Sequence, residues 1–445
     1  MSDSGTWNAV REDAAATLAH YVRFDTTNPP GNEAPAAAWL KSELIRRDIT
    51  DDVTIYEPAP GRAVLVGRIA GSDAVDPLVL NHHMDVVPAD PDQWSHPPFA
   101  GEVADGYVWG RGTLDTKGLG VMHLLALERL VKAGSKFRRP VVFLAVSDEE
   151  TGGSQGMRWL VEHHLEDLHP AWVWDEGGGG FKGLLGDRSM FGISVAEKKI
   201  QHLRLVATGR PGHAAMPHGD NANEHLIGAL QRIVKPRPMR VNEVTKALFE
   251  TAAEDQPFPR SFLFRHIDHP LVLKLVGPRL AADNQLNAML RDTISLTKLN
   301  AGYKINVIPE RAEAAIDCRL LPDTDPDEFH RWLEGTIADE RITVEKVKTS
   351  QSTPVSPIDS PFFAAARRAV EKHVPDGVGF PLLVPGGTDS RYFRAHDIPA
   401  YGFTPMLLEP EELGRVHGID ERISIDNLEL GVKIASDVLR DLCVA

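Results

Sequence analysis

The segment Val141-Val-Phe-Leu-Ala-Val-Ser-Asp-Glu-Glu-Thr-Gly-Gly153 carries the pattern that best indicates the fold class. Its first six residues form an unbroken apolar run of strand length, which is typical of a strand covered by helices on both faces. Three acidic residues and two glycines come directly after this predicted strand. Ligands of open α/β sheets bind outside the carboxyl ends of the strands. Residues 147–153 are therefore predicted to line a functional site.

Strands and helices alternate on both sides of this segment. Further strands are predicted at 63–69, 77–80, 171–174 and 399–403, and helices at 8–24, 34–47, 119–133, 156–164, 360–373 and 426–443. This alternation is typical of an α/β fold with a mainly parallel central sheet. The pattern stops near residue 198 and resumes near residue 350. The sequence therefore predicts a discontinuous larger domain, built from residues 1–198 and 350–445.

Residues 199–349 are predicted to form a second domain inserted into the first. Their order is strand 202–208, helix 221–234, strands 303–308 and 313–320, helix 325–338 and strand 342–348. A β-α-β-β-α-β order describes a small ferredoxin-like α+β domain. Residues 236–300 form an extra insertion within it, rich in Pro, Phe and Arg.

Length and composition are those of a globular chain. It has 445 residues, of which 42% are hydrophobic and 25% charged, and this length suits two domains. No run has the roughly 18 apolar residues that a membrane span needs, and residues 1–10 lack the pattern of a signal peptide. Two cysteines, Cys318 and Cys443, cannot make a disulfide framework. A cytoplasmic location is expected.

The charge balance argues against polyanionic partners. Net charge is −15, from 48 Lys and Arg against 63 Asp and Glu. An acidic chain repels nucleic acid and anionic membranes unless a local basic patch intervenes. The basic run at 235–240 is short and broken by prolines, and we interpret it as a solvated loop. Neither a nucleic-acid partner nor a membrane partner is expected.

Two further strand ends carry polar residues. His83 and Asp85 are two positions apart at the end of an apolar strand, so period-two geometry places both side chains on one face. Trp174-Asp-Glu-Gly-Gly178 repeats the order of strand, acids and glycines. Taken alone, the first pair could be structural and the acidic segments could be solvated loops.

Two loops that precede helices complete the set. Asp115 lies within Gly110-Arg-Gly-Thr-Leu-Asp-Thr-Lys-Gly118, and His417 lies within Val416-His-Gly-Ile-Asp-Glu-Arg422. Glycines before a helix can bind phosphate, but this spacing fits neither the dinucleotide fingerprint nor the P-loop. A dinucleotide oxidoreductase is therefore disfavoured. Histidine and carboxylate ligands together suit zinc, with cobalt or manganese as alternatives.

Taken together, these segments resemble the M20 metallopeptidase family, which includes aminoacylase, glutamate carboxypeptidase and succinyl-diaminopimelate desuccinylase. The resemblance covers nearly the whole chain, including the inserted domain. It rests on five segments in order: His83-x-Asp85, Gly110-Arg-Gly-x-x-Asp115-x-Lys-Gly118, Asp148-Glu-Glu-x-Gly-Gly153, Asp175-Glu-Gly177 and His417.

The resemblance implies a site for two divalent metal ions, with Zn²⁺ first and Co²⁺ or Mn²⁺ as alternatives. Asp115 resembles the carboxylate that bridges both ions, and the Asp115–Thr116 peptide bond would be cis. The other implied ligands are His83 and Glu176 for one ion, and Glu150 and His417 for the other.

The resemblance also implies catalytic roles. Glu149 is similar to the general base, and Asp85 to the residue that orients His83. His213, in the segment Gly209-Arg-Pro-Gly-His213, resembles a histidine that reaches a neighbouring subunit's site to stabilise the oxyanion. His218 is the competing candidate. The inserted domain would be a dimerisation or lid domain, so a homodimer is implied.

Substrate recognition is implied at two places. Asn306 and Arg319 in the inserted domain match substrate-binding positions of the family, and arginine suits a bidentate grip on a carboxylate. An ion pair at a strand edge is the alternative for Arg319. The loop Gly386-Gly-Thr-Asp-Ser-Arg391 resembles the family's substrate loop. Within it Gly387 and Arg391 would bind substrate, and Thr388 would lie near the oxyanion.

The predicted function is hydrolysis of an amide bond in a small substrate that bears a carboxylate. An N-acyl amino acid is the first choice, and a dipeptidase or carboxypeptidase is the second. A metal-binding protein without catalysis is the remaining alternative.

Overall fold

A computed structural model describes residues 3–183, 185–186, 188–254 and 256–445, so the first two residues of the N-terminal stretch considered above lie outside it. The chain divides into two compact units. The larger unit comprises Met1–Val195, Val355–Leu382 and Thr388–Ala445, and the inserted unit comprises Ala196–Pro354 and Leu383–Gly387.

The described residues contain strands in both units. They are β1 (Val53–Tyr56), β2 (Val64–Ile69), β3 (Leu78–His83), β4 (Glu102–Ala104), β5 (Tyr107–Trp109), β6 (Val141–Val146), β7 (Trp172–Asp175), β8 (Gly179–Lys182), β9 (Ser189–Glu197), β10 (Lys199–Thr208), β11 (Gly212–His213), β12 (Thr293–Ala301), β13 (Val307–Ile308), β14 (Arg311–Leu320), β15 (Ile342–Thr349), β16 (Gly377–Val384), β17 (Ala400–Gly402), β18 (Leu407–Leu408) and β19 (Arg422–Ser424).

The helices are distributed in the same way. They are α1 (Asp3–Val22), α2 (Ala34–Arg46), α3 (Lys117–Lys132), α4 (Met157–Leu168), α5 (Ala222–Ile233), α6 (Glu243–Ala253), α7 (Arg260–Arg265), α8 (Pro270–Leu280), α9 (Asn284–Met289), α10 (Pro326–Ile337), α11 (Pro361–His373), α12 (Ser390–Arg394), α13 (Pro410–Leu413) and α14 (Ile425–Cys443). None of the helices in the described ranges is long and apolar enough to cross a bilayer.

The main sheet of the larger unit has parallel strands at its centre. Its order is β1-β2-β6-β3-β7-β17-β9-β8-β18, and β16 also pairs with β9. The strands β6, β3, β7 and β17 run parallel to their neighbours in this series. Towards the edges, β1 with β2, β2 with β6, and β9 with β17 and β8 are antiparallel. The predicted α/β class with a mainly parallel central sheet is confirmed.

Helices cover both faces of the central strands, which explains why these strands lack polar alternation. All six residues of β3 and all six of β6 are buried. One face of β6 packs its alternate residues Val142, Leu144 and Val146 into a cluster with residues of α4 and α12. On the other side, α3 contacts β3 and β6, and α14 packs against α3. Fully burying one such aliphatic side chain contributes about 1.5–3 kcal/mol.

The inserted unit contains a four-stranded antiparallel sheet. Its order is β12-β14-β10-β15. Helices α5 and α10 contribute to a buried cluster with β10 and β14, and both helices connect strands as in a ferredoxin-like unit. The extra segment between α5 and β12 forms the four helices α6 to α9.

The predicted strand at 303–308 is wrong. The sheet strand at this place in the order is β12, which pairs with β14 from Thr293 opposite Arg319 to Ala301 opposite Ala312. Of the predicted residues only Val307–Ile308 are extended, and they pair with Gly212–His213 in a separate two-stranded sheet. A register shift between Leu296 and Lys298 breaks the alternation of β12. Such an irregularity hides the period-two signal from sequence reasoning.

Candidate active site

Three adjacent parallel strands bring their polar ends to one edge of the sheet. In the order β6-β3-β7, His83 is the last residue of β3, and Glu176 directly follows β7. The acidic segment Asp148-Glu-Glu150 follows β6 after one serine. Because parallel strands end at the same edge, side chains from residues about 90 positions apart in the chain meet there. This edge is where the sequence analysis expects the site.

Five of the predicted site residues form two groups of possible metal donors. One group contains His83, Asp115 and Glu176, and the other contains Asp115, Glu150 and His417, with the donor atoms of each group within 4.8 Å of one another. His83 Nε2 lies 2.9 Å from Asp115 Oδ1 and 3.7 Å from Glu176 Oε1. His417 Nε2 lies 2.9 Å from Asp115 Oδ2 and 3.3 Å from Glu150 Oε1. Asp115 therefore offers one oxygen to each group.

Asp115 is held by the loop between β5 and α3. Gly112 in this loop has φ +91°, and a Cβ there would lie 2.8 Å from Val86 Cγ1, so only glycine suits the position. The Asp115–Thr116 peptide bond is cis, as the resemblance implies.

Glu421 fixes this loop from a distant part of the chain. Its fully buried carboxylate accepts hydrogen bonds from the backbone N–H groups of Gly112, Leu114 and Asp115 at 3.1, 2.8 and 3.3 Å. Its second oxygen accepts from Arg111 at 2.6 Å. Hydrogen bonds to a charged group typically contribute about 1.5–3 kcal/mol each. The loop that carries the shared donor is therefore tied to the segment before α14.

Arg111 extends the same tie to His417. Its guanidinium donates to the backbone carbonyl of Gly418 at 2.9 Å and to that of His417 at 3.3 Å. His417 has φ +60°, in the left-handed region that a residue with a side chain seldom adopts. Conformations of this kind persist where the surroundings hold them, and they cluster at functional sites. The Arg111 contacts hold this turn in place.

Asp85 contacts His83 mainly through its backbone. His83 Nδ1 donates to the Asp85 carbonyl at 2.8 Å, whereas the nearer carboxylate oxygen is 3.6 Å away. That hydrogen bond leaves Nε2 facing Asp115. The Asp85 carboxylate instead accepts the backbone N–H groups of Glu149 and Glu150, each at 3.1 Å, and the amide of Asn28 at 2.8 Å. Asp85 thus positions the histidine and the acidic segment together.

A buried polar network supports the start of the acidic segment. Asp148 has φ +70° and accepts hydrogen bonds from Asn28 at 3.2 Å and Arg62 at 3.1 Å. Arg62 Nε lies 3.0 Å from Oε2 of the fully buried Glu33. Burial raises the pKa of Glu33 to about 8, against the attraction of Arg62. These contacts fix the backbone on which Glu149 and Glu150 stand.

Glu149 lies beside the donor groups, with its side chain 11% exposed. Burial raises the pKa of its carboxyl to about 8, while His83 and Arg391 act in the opposite direction. Arg391 Nη1 lies 3.8 Å from Glu149 Oε1. Cations bound nearby would favour the carboxylate form, because a bound ion is often the largest charge in such a site. A buried carboxyl with a raised pKa is suited to exchange a proton.

The charges of neighbouring site residues also shift the pKa values of Glu176 and Asp115. Burial, reinforced by the charge of Asp115, raises the pKa of Glu176 well above its usual value. Burial alone would raise the pKa of Asp115, but hydrogen bonds from His417 and His83 outweigh it and hold that pKa below its usual range. Carboxylates this close to one another are stabilised by cations.

The donor set fits divalent metal ions. Each group offers one imidazole nitrogen and two carboxylate oxygens, a mixture that zinc and similar ions accept. Glu150 Oε1 is buried, and His417 Nε2, itself a possible metal donor, lies 3.3 Å from it. The backbone contact of His83 Nδ1 resembles the arrangement that orients histidine ligands in metal sites. The residues present are therefore consistent with two ions that share Asp115.

The predicted substrate loop lies partly against these groups. Thr388 and Arg391 belong to the larger unit and Gly387 to the inserted unit. Ser390 Oγ donates to Asp175 at 2.8 Å, which ties the start of α12 to the end of β7. Asp389 is buried, and none of the described residues donates to its carboxylate oxygens. Burial and the nearby Glu149 raise its pKa well above the usual value.

Besides Gly387, three predicted residues belong to the inserted unit. His213 is exposed and pairs with Val307, while the next residue, Ala214, donates its N–H to the Asn306 carbonyl at 3.1 Å. His213 and Asn306 are therefore close to each other. Arg319 forms a two-point ion pair with Asp317, at 2.8 and 3.1 Å. This is the strand ion pair that the sequence analysis gives as the alternative for Arg319.

Sequence reasoning missed four supporting residues: Asn28, Arg62, Arg111 and Glu421. Two of them, Arg111 and Glu421, stand inside segments that the sequence analysis singles out. For Arg111 the available signal was its position between two glycines, whereas Glu421 has no such neighbours. Their partners lie far away in the chain, since Arg111 and Glu421 are 310 positions apart.

Two donor groups that share a carboxylate, with a further glutamate beside them, suit an enzyme that uses two divalent metal ions, and aminopeptidases are among the enzymes with such sites. Comparison with known proteins points to the same class. Residues 79–441 match the model of peptidase family M20/M25/M40.

Curated relatives cover most of the chain. Probable carboxypeptidase S-like 2 from Dictyostelium discoideum is 32% identical over 80% of this chain and 69% of its own length. The N-fatty-acyl-amino acid synthase/hydrolase PM20D1 from Xenopus tropicalis is 32% identical over 84% and 74%. Aminoacylase-1 from Sus scrofa is 30% identical over 95% and 93%.

A solved structure shares the fold. The M20 family metallo-carboxypeptidase Sso-CP2 from Sulfolobus solfataricus superposes with a TM-score of 0.71 at 19% identity, covering 96% of this chain and 98% of that one. The chain belongs to peptidase family M20/M25/M40, and it is an enzyme that acts on amide or peptide bonds.

Proposed function

We propose that the chain hydrolyses N-acyl amino acids, with Glu149 as the general base beside two divalent metal ions. Asp115 carries the proposal, because it offers one oxygen to each of two donor groups. His83 and Glu176 would complete one ion's ligands, and Glu150 and His417 the other's. We propose Zn²⁺ as the ion, with Co²⁺ or Mn²⁺ as alternatives.

The bound ions would polarise the amide carbonyl and acidify a water molecule. Glu149 would accept a proton from water as the water oxygen adds to the amide carbonyl carbon, and would pass that proton to the amine nitrogen as the C–N bond breaks. Asp85 keeps Glu149 in place through the backbone N–H groups that it accepts. Thr388, with His213 of the neighbouring subunit, would donate to the oxyanion, and each such donor contributes about 3 kcal/mol.

The position of Arg391 and the activities of two relatives support the proposed substrate class. Arg391 lies near Glu149, so its guanidinium is suitably placed to hold the free carboxylate of an N-acyl amino acid. Gly387, Asn306 and Arg319 are the other proposed substrate contacts, and Arg319 would have to release Asp317 to take part. Two of the relatives named above are an aminoacylase and an N-fatty-acyl-amino acid hydrolase.

A dipeptidase or carboxypeptidase is the second candidate. The carboxypeptidase S-like relative favours it, and the same carboxylate recognition would serve a peptide C-terminus. The two candidate substrates differ in the acyl side of the amide bond, which is a simple acyl group in an N-acyl amino acid and an aminoacyl or peptidyl group in a peptide. A substrate panel therefore separates them.

The two units would have different roles. We propose that residues 1–198 and 350–445 form the catalytic domain, and that 199–349 form a dimerisation or lid domain in a homodimer. A cytoplasmic location is proposed on the two free, buried cysteines, which suit a reducing compartment.

The test compares the wild-type enzyme with Glu149→Gln on N-acyl amino acids and dipeptides. Both proteins are stripped of metal and restored with zinc, cobalt or manganese. The wild type should release amine only with metal. The variant should bind two ions per chain but lose about 10²–10⁴-fold in turnover, because it lacks a general base.

Glu409→Gln is the matched control, since Glu409 is half exposed and pairs with Lys182 on the surface. It should keep full activity. Undiminished turnover in Glu149→Gln would refute the general-base assignment. Metal-independent release of amine by the wild type would refute the metal mechanism.

A further inference from the structure

Several large apolar side chains of the inserted unit are exposed in helices α7 and α8 and just before α7. Phe258 is 81% exposed, Phe262 49%, Leu271 71% and Leu275 72%. Exposed apolar side chains mark an interaction surface where they form a contiguous patch. We refer to residues 258–279 as the apolar-basic segment.

The segment is folded, so its exposed side chains are displayed by a scaffold. Phe264, at the end of α7, is buried and contacts Phe249 of α6 edge to face, with ring centroids 5.4 Å apart. Leu280 at the end of α8 is also buried. Leu271 and Leu275 are four positions apart in α8 and therefore lie on one face of it.

The charge of the segment is opposite to that of the whole chain. It carries four exposed cationic residues against one acidic residue, a net +3, whereas the chain carries −15. The acidic residue, Asp268, is already paired with Lys246 at 2.7 Å. The exposed cations are Arg260, Arg265, Lys274 and Arg279. This is a local basic patch of the kind that would offset the repulsion of anionic surfaces by the acidic chain.

The exposed cations and apolar groups of the segment together favour an anionic lipid surface over a second copy of the chain as its partner. A symmetric contact between two copies of this segment would place its cations against the same cations, which opposes association. Anionic lipid attracts the cations and also accepts Phe and Leu between its headgroups, as it does for interfacial helices.

We propose that the apolar-basic segment docks on the surface of an anionic lipid bilayer. Phe258, Leu271 and Leu275 would enter the boundary between headgroups and acyl chains. The arginines and Lys274 would contact lipid phosphates. The proposal is independent of the proposed function, and it revises the expectation, made from the overall charge, that the chain has no membrane partner.

The test measures co-sedimentation of the full-length enzyme with two kinds of vesicle. One contains equal parts of phosphatidylglycerol and phosphatidylcholine, and the other contains phosphatidylcholine alone. The wild type should bind the anionic vesicles, bind the neutral ones weakly, and lose binding as salt is added. The double variant Leu271→Ser with Leu275→Ser should bind the anionic vesicles at least about tenfold more weakly than the wild type. Lys274→Glu with Arg279→Glu should lose the preference for anionic vesicles.

Matched controls come from the exposed strand β12 of the same unit. Leu299→Ser and Lys298→Glu change an exposed leucine and an exposed lysine outside the segment, and both should bind like the wild type. All variants should keep the wild-type melting temperature and amidase activity.

Three results would overturn the proposal. The first is failure of the wild type to bind anionic vesicles at low salt. The second is an equal loss of binding in the β12 controls. The third is a change of oligomeric mass by light scattering in Leu271→Ser with Leu275→Ser, because it would assign the surface to a second copy of the chain.

Discussion

Glu421 is the residue whose contacts reach both sides of the candidate metal centre. Its carboxylate holds the loop of Asp115, and Arg111 links it to the turn of His417. Outer contacts of this kind usually change metal affinity by about 10- to 100-fold when they are removed. We therefore expect Glu421→Gln to weaken binding of divalent metal by that factor, measured by calorimetry on the stripped enzyme.

The weakening should fall mainly on one of the two ions. In the donor group with His417, Glu421 supports both Asp115, through its loop, and His417, through Arg111. In the other group, β3 and β7 position His83 and Glu176. Two separate binding steps are therefore expected in the variant where the wild type shows tight uptake of two ions. Unchanged affinity at both steps would contradict the assignment.

At the scale of single residues, sequence patterns point to the proposed metal donors more readily than to the residues that support them. The five proposed donors stand in segments with recognisable spacing. The carbonyl of Asp85 that accepts from His83 has no sequence signal, because any residue has a carbonyl. The pairing of Arg111 with Glu421 depends on where the last helix packs, and spacing within either segment does not determine it.

Asp437 joins two helices of the larger unit and gives a prediction at the scale of elements. It lies on α14 and accepts from His373 and Lys372 at the end of α11, each at 2.7 Å. Burial alone would raise its pKa, but hydrogen bonds from His373 and Lys372 outweigh it and lower the pKa to about 2 from 3.8. A carboxyl whose pKa is lowered by folding stabilises the fold at pH values above its pKa in the unfolded chain. This contribution is lost as pH falls through the folded-state pKa of about 2.

Asp437→Asn should therefore lower the free energy of unfolding by about 1–2 kcal/mol at neutral pH. The difference from the wild type should vanish as pH approaches about 2. Urea unfolding of both proteins without metal measures it, so that protonation of the metal ligands is common to both. Asp441→Asn is the control, since Asp441 also lies on α14, is 43% exposed and pairs with Arg368 of α11. Its effect should stay within about 0.5 kcal/mol. A pH-independent difference for Asp437→Asn would contradict the ion-pair explanation.

Uninterrupted apolar runs predicted strands well, and interrupted ones did not. The strand at 141–146 has the predicted bounds. The buried strands β9 and β16 were not predicted, because Gly192 divides the first and Gly377, Gly379 and Pro381 break the second. A Cβ at Gly192 would lie 2.8 Å from a Leu382 methyl, so this glycine serves close packing between neighbouring strands. Pattern reading treats such a residue as a turn.

At the scale of the whole molecule, the proposed homodimer predicts exchange of function between subunits. If His213 acts in the neighbour's site, Glu149→Gln and His213→Ala should each be nearly inactive alone. Mixing them under conditions that let subunits exchange should restore roughly a quarter of the sites, because half of the dimers are mixed and each has one intact site.

A second mixture controls for simple stabilisation. Glu149→Gln mixed with His83→Ala damages the larger unit of both subunits, so no intact site can form. Amine release should stay at background in that mixture. Full activity of His213→Ala alone, or equal recovery in both mixtures, would contradict the proposed role of His213.

The order of the strands also has a consequence during synthesis. The sheet of the inserted unit uses residues 199–349, so it can close as soon as they leave the ribosome. The larger unit must wait for β17, which pairs with β7 made more than 200 residues earlier. His83, Asp115 and Glu176 are all translated before the inserted unit, whereas His417 comes last. Four of the five proposed donors are therefore made before the inserted unit, and the donor set is complete only after His417 has followed it.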